Sequence, residues 1–121
     1  MATRFELVLH GANPVALRSA GEEAIAEIER LGRALSFYDP SSQISRVNAR
    51  AFHEPVAVEP IVFALLQHAI RFSAETRGAF DITVGPLVQV WRRARRQREL
   101  PAPEVIAEAK ARVGWDKLQL D

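Results

Sequence analysis

Leu17, Ala20, Ala24, Ile25, Ile28, Leu31 and Leu35 recur at steps of mostly three and four residues, the spacing that gathers apolar side chains into one stripe of an α-helix. Glu22, Glu23, Glu27 and Arg30 take the other face. Asn13 stands where an N-cap belongs, and Pro14 follows at the first helical position, where its missing N–H is not needed. A helix with one apolar stripe must bury it against a second layer, and the rest of the sequence suggests which.

Thr3, Phe5, Leu7 and Leu9 alternate with Arg4, Glu6, Val8 and His10, a period of two that predicts a strand with one buried face. Val56 and Val58 suggest a short second strand, and Lys117-Leu118-Gln119-Leu120-Asp121 resumes the alternation. Between them, Ser41 or Ser42 can cap a helical turn through Ile44 and Val47 that stops near Asn48. Pro60 opens a helix with Val62, Leu65, Leu66, Ala69, Ile70 and Ser73 inward, closed by Gly78 at a position that favours positive φ. Ala79 to Thr83 reads as an extended piece with Phe80 and Ile82 on one side and Asp81 and Thr83 on the other. Gly85-Pro86 starts a helix running through Trp91 into a set of arginines, and a last helix spans Pro103 to Val113 before Gly114. The predicted fold class is α+β: one domain over residues 1–121, with long helices packed on one face of a mostly antiparallel sheet. The final strand ends without a partner, so the chain reads as truncated at its C-terminus.

With 121 residues, 48% hydrophobic and 26% charged, the composition is that of a globular domain, which excludes low-complexity disorder and collagen-like chains. The absence of cysteine removes thiol nucleophiles, Cys-ligated zinc, iron–sulfur clusters and disulfides together. No stretch approaches the ~20 apolar residues of a membrane span, and no signal peptide is read after Met1. As written the chain is expected in the cytoplasm; a periplasmic location would require a different gene start.

The formal net charge is +1, unevenly placed. Arg92, Arg93, Arg95, Arg96 and Arg98 form a basic run free of acids, which leaves eleven basic against fifteen acidic residues elsewhere. Without the aromatic interleaving of a single-strand binder, since Trp91 is the sole neighbouring ring, the run reads as a solvated patch and not as a nucleic-acid surface. His10, His53 and His68 are scattered with no carboxylate at metal-ligand spacing, and no phosphate loop, nucleophile elbow or His-Glu-x-x-His motif is present. Neither a catalytic nor a metal-binding residue is assigned. Two loops carry more chemistry. Tyr38 stands beside Asp39 and the capping serines, where a ring can stack on a heteroaromatic ligand or simply close a core. At Gly78-Ala79-Phe80-Asp81 a glycine permits close approach to the backbone, and Asp81 offers an acceptor for a ring N–H or an amine.

With their flanks these loops form an ordered series: Met1-Ala2-Thr3-Arg4-Phe5, then Leu35-Ser36-Phe37-Tyr38-Asp39-Pro40-Ser41-Ser42-Gln43-Ile44-Ser45-Arg46-Val47-Asn48. Thr76-Arg77-Gly78-Ala79-Phe80-Asp81-Ile82-Thr83-Val84-Gly85-Pro86-Leu87-Val88 follows, with Trp91 and then Val113-Gly114-Trp115. The series resembles the N-terminal part of the FAD:protein FMN transferases, the ApbE-type family. The resemblance implies Mg²⁺-dependent transfer of FMN from FAD to a threonine hydroxyl of a target flavoprotein, with release of AMP. By position it implies FAD contacts at Met1, Tyr38, Ala79, Phe80 and Asp81, Tyr38 packing on the isoalloxazine, with the magnesium ligands beyond Asp121. The alternative is a stand-alone or inactive flavin-binding module. Arg92-Arg93-Ala94-Arg95-Arg96 departs from the Gly-Phe and glycine-containing loop usual after the tryptophan, and Ala2 replaces a more usual glycine.

Overall fold

The computed structural model describes residues 4–121, and the chain divides into two compact units, Met1–Val62 and Phe63–Asp121.

In the first unit, α1 spans Pro14–Ala34. It begins where the sequence places it: Asn13 Oδ1 accepts from the amides of Val15 at 3.0 Å and Ala16 at 3.1 Å, filling two of the four donors a helix N-terminus leaves free. Its apolar stripe is only partly covered, with Leu17, Ala24, Ile28, Leu31 and Leu35 half-buried and Ile25 exposed. α2 spans Gln43–Arg50 and is capped by Ser42, whose Oγ accepts from Ser45 N at 3.0 Å; it runs two residues past Asn48. Arg30 on α1 holds both Glu27, at 2.8 Å, and Glu59, at 2.5 Å. The hydrogen bond from Arg30 holds the Glu27 carboxyl below the ordinary carboxylate range, and the two glutamates together raise the guanidinium. Glu59 N donates in turn to the buried Gln43 Oε1 at 2.7 Å. One arginine and one glutamine thus join α1 and α2 to the segment that leads into α3, which spans Pro60–Glu75.

In the second unit, the C-terminus of α3 closes with Gly78 N donating to Ser73 O at 2.8 Å, Arg77 at φ 51° and Gly78 at φ 80°. The left-handed backbone expected at Gly78 is present, and Arg77 shares it. Ser73 is fully buried because its Oγ finds a partner one turn back, donating to Ala69 O at 2.9 Å. α4 spans Gly85–Gln97 and packs on α5, Pro103–Ala111. Ala94 on α4 and Ala109 on α5 are the buried side chains of those helices, while Arg92, Arg93, Arg95 and Arg96 lie exposed on α4 and Arg98 caps it at φ 57°.

The expected antiparallel sheet is absent: no strand occurs among the described residues. Residues 4–10 are irregular and exposed on both faces, with Phe5 at 50% and Val8 at 73%. A period of two marks side chains that could share a face, but a strand exists only when a neighbour takes its amides and carbonyls. No described segment pairs with residues 4–10, with Val56–Val58 or with residues 118–121. The expected extended piece at 79–83 is a turn instead, because Asp81 bonds locally to Thr83. Likewise α5 stops at Ala111, and Trp115–Lys117 forms a 3₁₀ turn. Thr3, at the start of the first expected strand, lies outside the described residues.

Candidate functional site

The loop carrying Tyr38 is built from serines. Ser36 Oγ accepts from the amides of Tyr38 at 3.2 Å and Asp39 at 3.1 Å, while Ser36 O accepts from Ser42 Oγ at 2.5 Å and Ser45 Oγ at 3.3 Å. Asp39 Oδ1 accepts from both the Oγ, at 2.7 Å, and the amide, at 2.8 Å, of Ser41. Those two bonds, the hydroxyl first, hold the Asp39 carboxyl below the ordinary range. With its backbone tied at each end, the loop displays Tyr38: the ring is 77% exposed and touches Phe37 edge-on, centroids 5.5 Å apart. A tyrosine closing a core would be covered; this one offers a free face for stacking. Next to it, Ser36 and Asp39 join Phe5, Ile28, Gly32 and Arg33 in lining an open cleft of about 400 Å³. Tyr38 is not part of its wall.

The second unit holds the other expected segment. Thr76 Oγ1 donates to Phe72 O at 2.8 Å and accepts from Phe80 N at 3.1 Å, fixing the chain as it leaves α3. Phe80 is 44% exposed and meets Phe72 edge-on at 6.1 Å; Ala79 is exposed beside it. Asp81 is half-buried and heavily used. Its Oδ1 accepts from Thr83 N at 2.7 Å and Thr83 Oγ1 at 2.6 Å, and its Oδ2 accepts from Trp115 N at 3.1 Å. Thr83 Oγ1 also accepts from Gly114 N at 2.8 Å. The turn after α3 and the turn after α5 are therefore stitched by one carboxylate and one hydroxyl. Gly114 suits the second turn because its φ of 156° is a backbone conformation that residues with a Cβ rarely adopt.

Of the expected site residues, Ala79, Phe80 and Asp81 fall together in the second unit, Tyr38 stands in the first, and Met1 lies outside the described residues. The role of Thr83 and of the Gly114 and Trp115 amides went unread in the sequence. The Asp-x-Thr spacing signals a local turn, but nothing in it announces partners more than thirty residues away. Among the described residues no group of three or more His, Cys, Asp or Glu could hold a metal ion, and no helix is long and apolar enough to cross a membrane.

Comparison with known proteins gives a consistent result. The model of the ApbE family matches residues 1–121. An FAD:protein FMN transferase of Haemophilus influenzae is 36% identical over 103 residues, 83% of this chain and 30% of that protein. One from Chlamydia muridarum is 28% identical across 100% of this chain and 39% of its own length. Among solved structures, the ApbE protein of Thermotoga maritima superposes with a TM-score of 0.76 at 28% identity, covering 92% of this chain and 36% of that one. The apo flavinyl transferase ApbE of Pseudomonas stutzeri gives 0.69 at 29% identity, over 86% and 34%. The chain spans between 30% and 39% of the length of these relatives.

Proposed function

The chain belongs to the ApbE family, and from that premise we propose that it supplies the flavin-contacting part of an FAD:protein FMN transferase. In the reaction a threonine hydroxyl of a target flavoprotein bonds to the FMN-side phosphorus of FAD, the pyrophosphate bridge breaks, and AMP leaves. Catalysis of such a step is largely positioning and charge neutralisation. This chain's share is the positioning of FAD: Tyr38 stacks on the isoalloxazine, Ala79 and Phe80 bring backbone and ring edge close to the ligand, and Asp81 accepts from one of its N–H groups. Met1 is assigned as a further contact on the resemblance alone.

The observation that supports this reading best is the displayed Tyr38 ring on a loop whose backbone is otherwise locked by Ser36, Ser42 and Ser45. The magnesium ion that the resemblance implies finds no ligand set among the described residues, so no step is assigned to it. The test is flavinylation of an acceptor threonine by a transferase carrying this sequence, with the product followed by mass. Tyr38→Ala and Asp81→Ala are each expected to lower the rate at subsaturating FAD by roughly tenfold or more, the worth of one stacked ring or one charge-assisted hydrogen bond. Wild-type rates in both variants would remove the site assignment.

A further inference from the structure

A carboxylate has about four lone-pair sites. Three of those on Asp81 are taken: two on Oδ1 by the amide and hydroxyl of Thr83, and one on Oδ2 by Trp115 N. The remaining acceptor site is on Oδ2, and its direction is set by the other three bonds. Thr83 is central to this arrangement. Its hydroxyl donates to Asp81 at 2.6 Å while accepting from Gly114 N at 2.8 Å, so one oxygen aligns the carboxylate and anchors the turn whose next amide occupies Oδ2.

We propose that Thr83 is a positioning residue for flavin-nucleotide binding: by bridging Asp81 and Gly114 it leaves Asp81 one aimed acceptor, which takes a single N–H donor of the ligand's heterocycle. The inference rests on the reading of Ala79–Asp81 as an FAD contact and adds to it how the contact is oriented and how many bonds it can make. A free aspartate would have to be ordered when the ligand arrives; this one is ordered beforehand, which is the condition for a polar contact to contribute its full strength.

Two measurements on the same protein test it. Amide hydrogen exchange reads the stitch at Gly114 and Trp115, and titration with FAD reads the ligand. Thr83→Val removes both the donor and the acceptor at nearly constant volume; Thr83→Ser keeps both. Asp81→Glu keeps the charge but displaces the carboxylate by one methylene. The expected result is loss of protection at Gly114 in Thr83→Val, FAD affinity reduced roughly tenfold or more in Thr83→Val and Asp81→Glu, and both properties retained in Thr83→Ser. Rescue by serine separates a hydroxyl-dependent role from the filling of space. Wild-type FAD affinity in Thr83→Val or in Asp81→Glu would overturn the proposal while leaving the site reading intact. A wild-type protein with protected Gly114 and Trp115 amides and no FAD binding would overturn that reading, and the positioning role with it.

Discussion

Tyr38 and Asp39 are neighbours with opposite consequences for substitution. The Tyr38 ring is mostly in water, so Tyr38→Ala is expected to shift unfolding free energy by less than about 0.5 kcal/mol. FAD affinity should nevertheless fall by roughly tenfold, close to the worth of a stacked aromatic pair. Thermal denaturation and an FAD titration on the same sample check the two halves, and a large loss of stability would mean that the ring is structural after all. Asp39 instead titrates with the fold. Its bonds to Ser41 exist only in the folded loop and hold the carboxyl below the ordinary value of 3.8. A depressed folded-state pKa means a contribution fully present above the unfolded value and lost as pH falls through the folded one. Wild-type stability should therefore drop as pH falls below the ordinary value of 3.8, with a component that Asp39→Asn lacks. Identical pH profiles for the two proteins would contradict the assignment.

Elements ended where local chemistry ended them. Asn13, Ser42 and Gly78 were legible because each acts within a few residues of itself, through an N-cap bond or a left-handed backbone. The extended segments were not legible in the same way: alternation at 4–10 reports which side chains could face a core and says nothing of the ladder partner a strand requires. Nor does the apparent alternation at 79–83 betray that Asp81 turns the chain onto Thr83 and reaches Trp115. The resemblance named Gly114 and Trp115 without a role, and the fold supplies one. Gly114→Ala tests it directly, since a Cβ at a φ of 156° strains the backbone, while the Asp116 and Lys117 side-chain ends nearby can move aside. We expect a loss of about 1–3 kcal/mol in urea unfolding. A change below about 0.5 kcal/mol, the range of a neutral surface substitution, would show that the turn tolerates a side chain and that the stitch is loose.

At the scale of the whole molecule, each unit holds one locally ordered segment of the proposed flavin contacts. Tyr38 stands ready in the first unit, and Ala79, Phe80 and Asp81 are held in the second by Thr76, Thr83 and the amides of the last turn. Family membership covers the full chain, while the transferase activity belongs to relatives of which this chain spans 30% and 39%. FAD binding is therefore the property to measure on the 121 residues themselves. A titration of the chain with FAD, followed by flavin fluorescence, should give a saturable change that weakens in Tyr38→Ala and in Asp81→Ala. A flat response up to about 100 µM, weaker than roughly 5.5 kcal/mol of binding, would contradict the claim that these loops contact flavin.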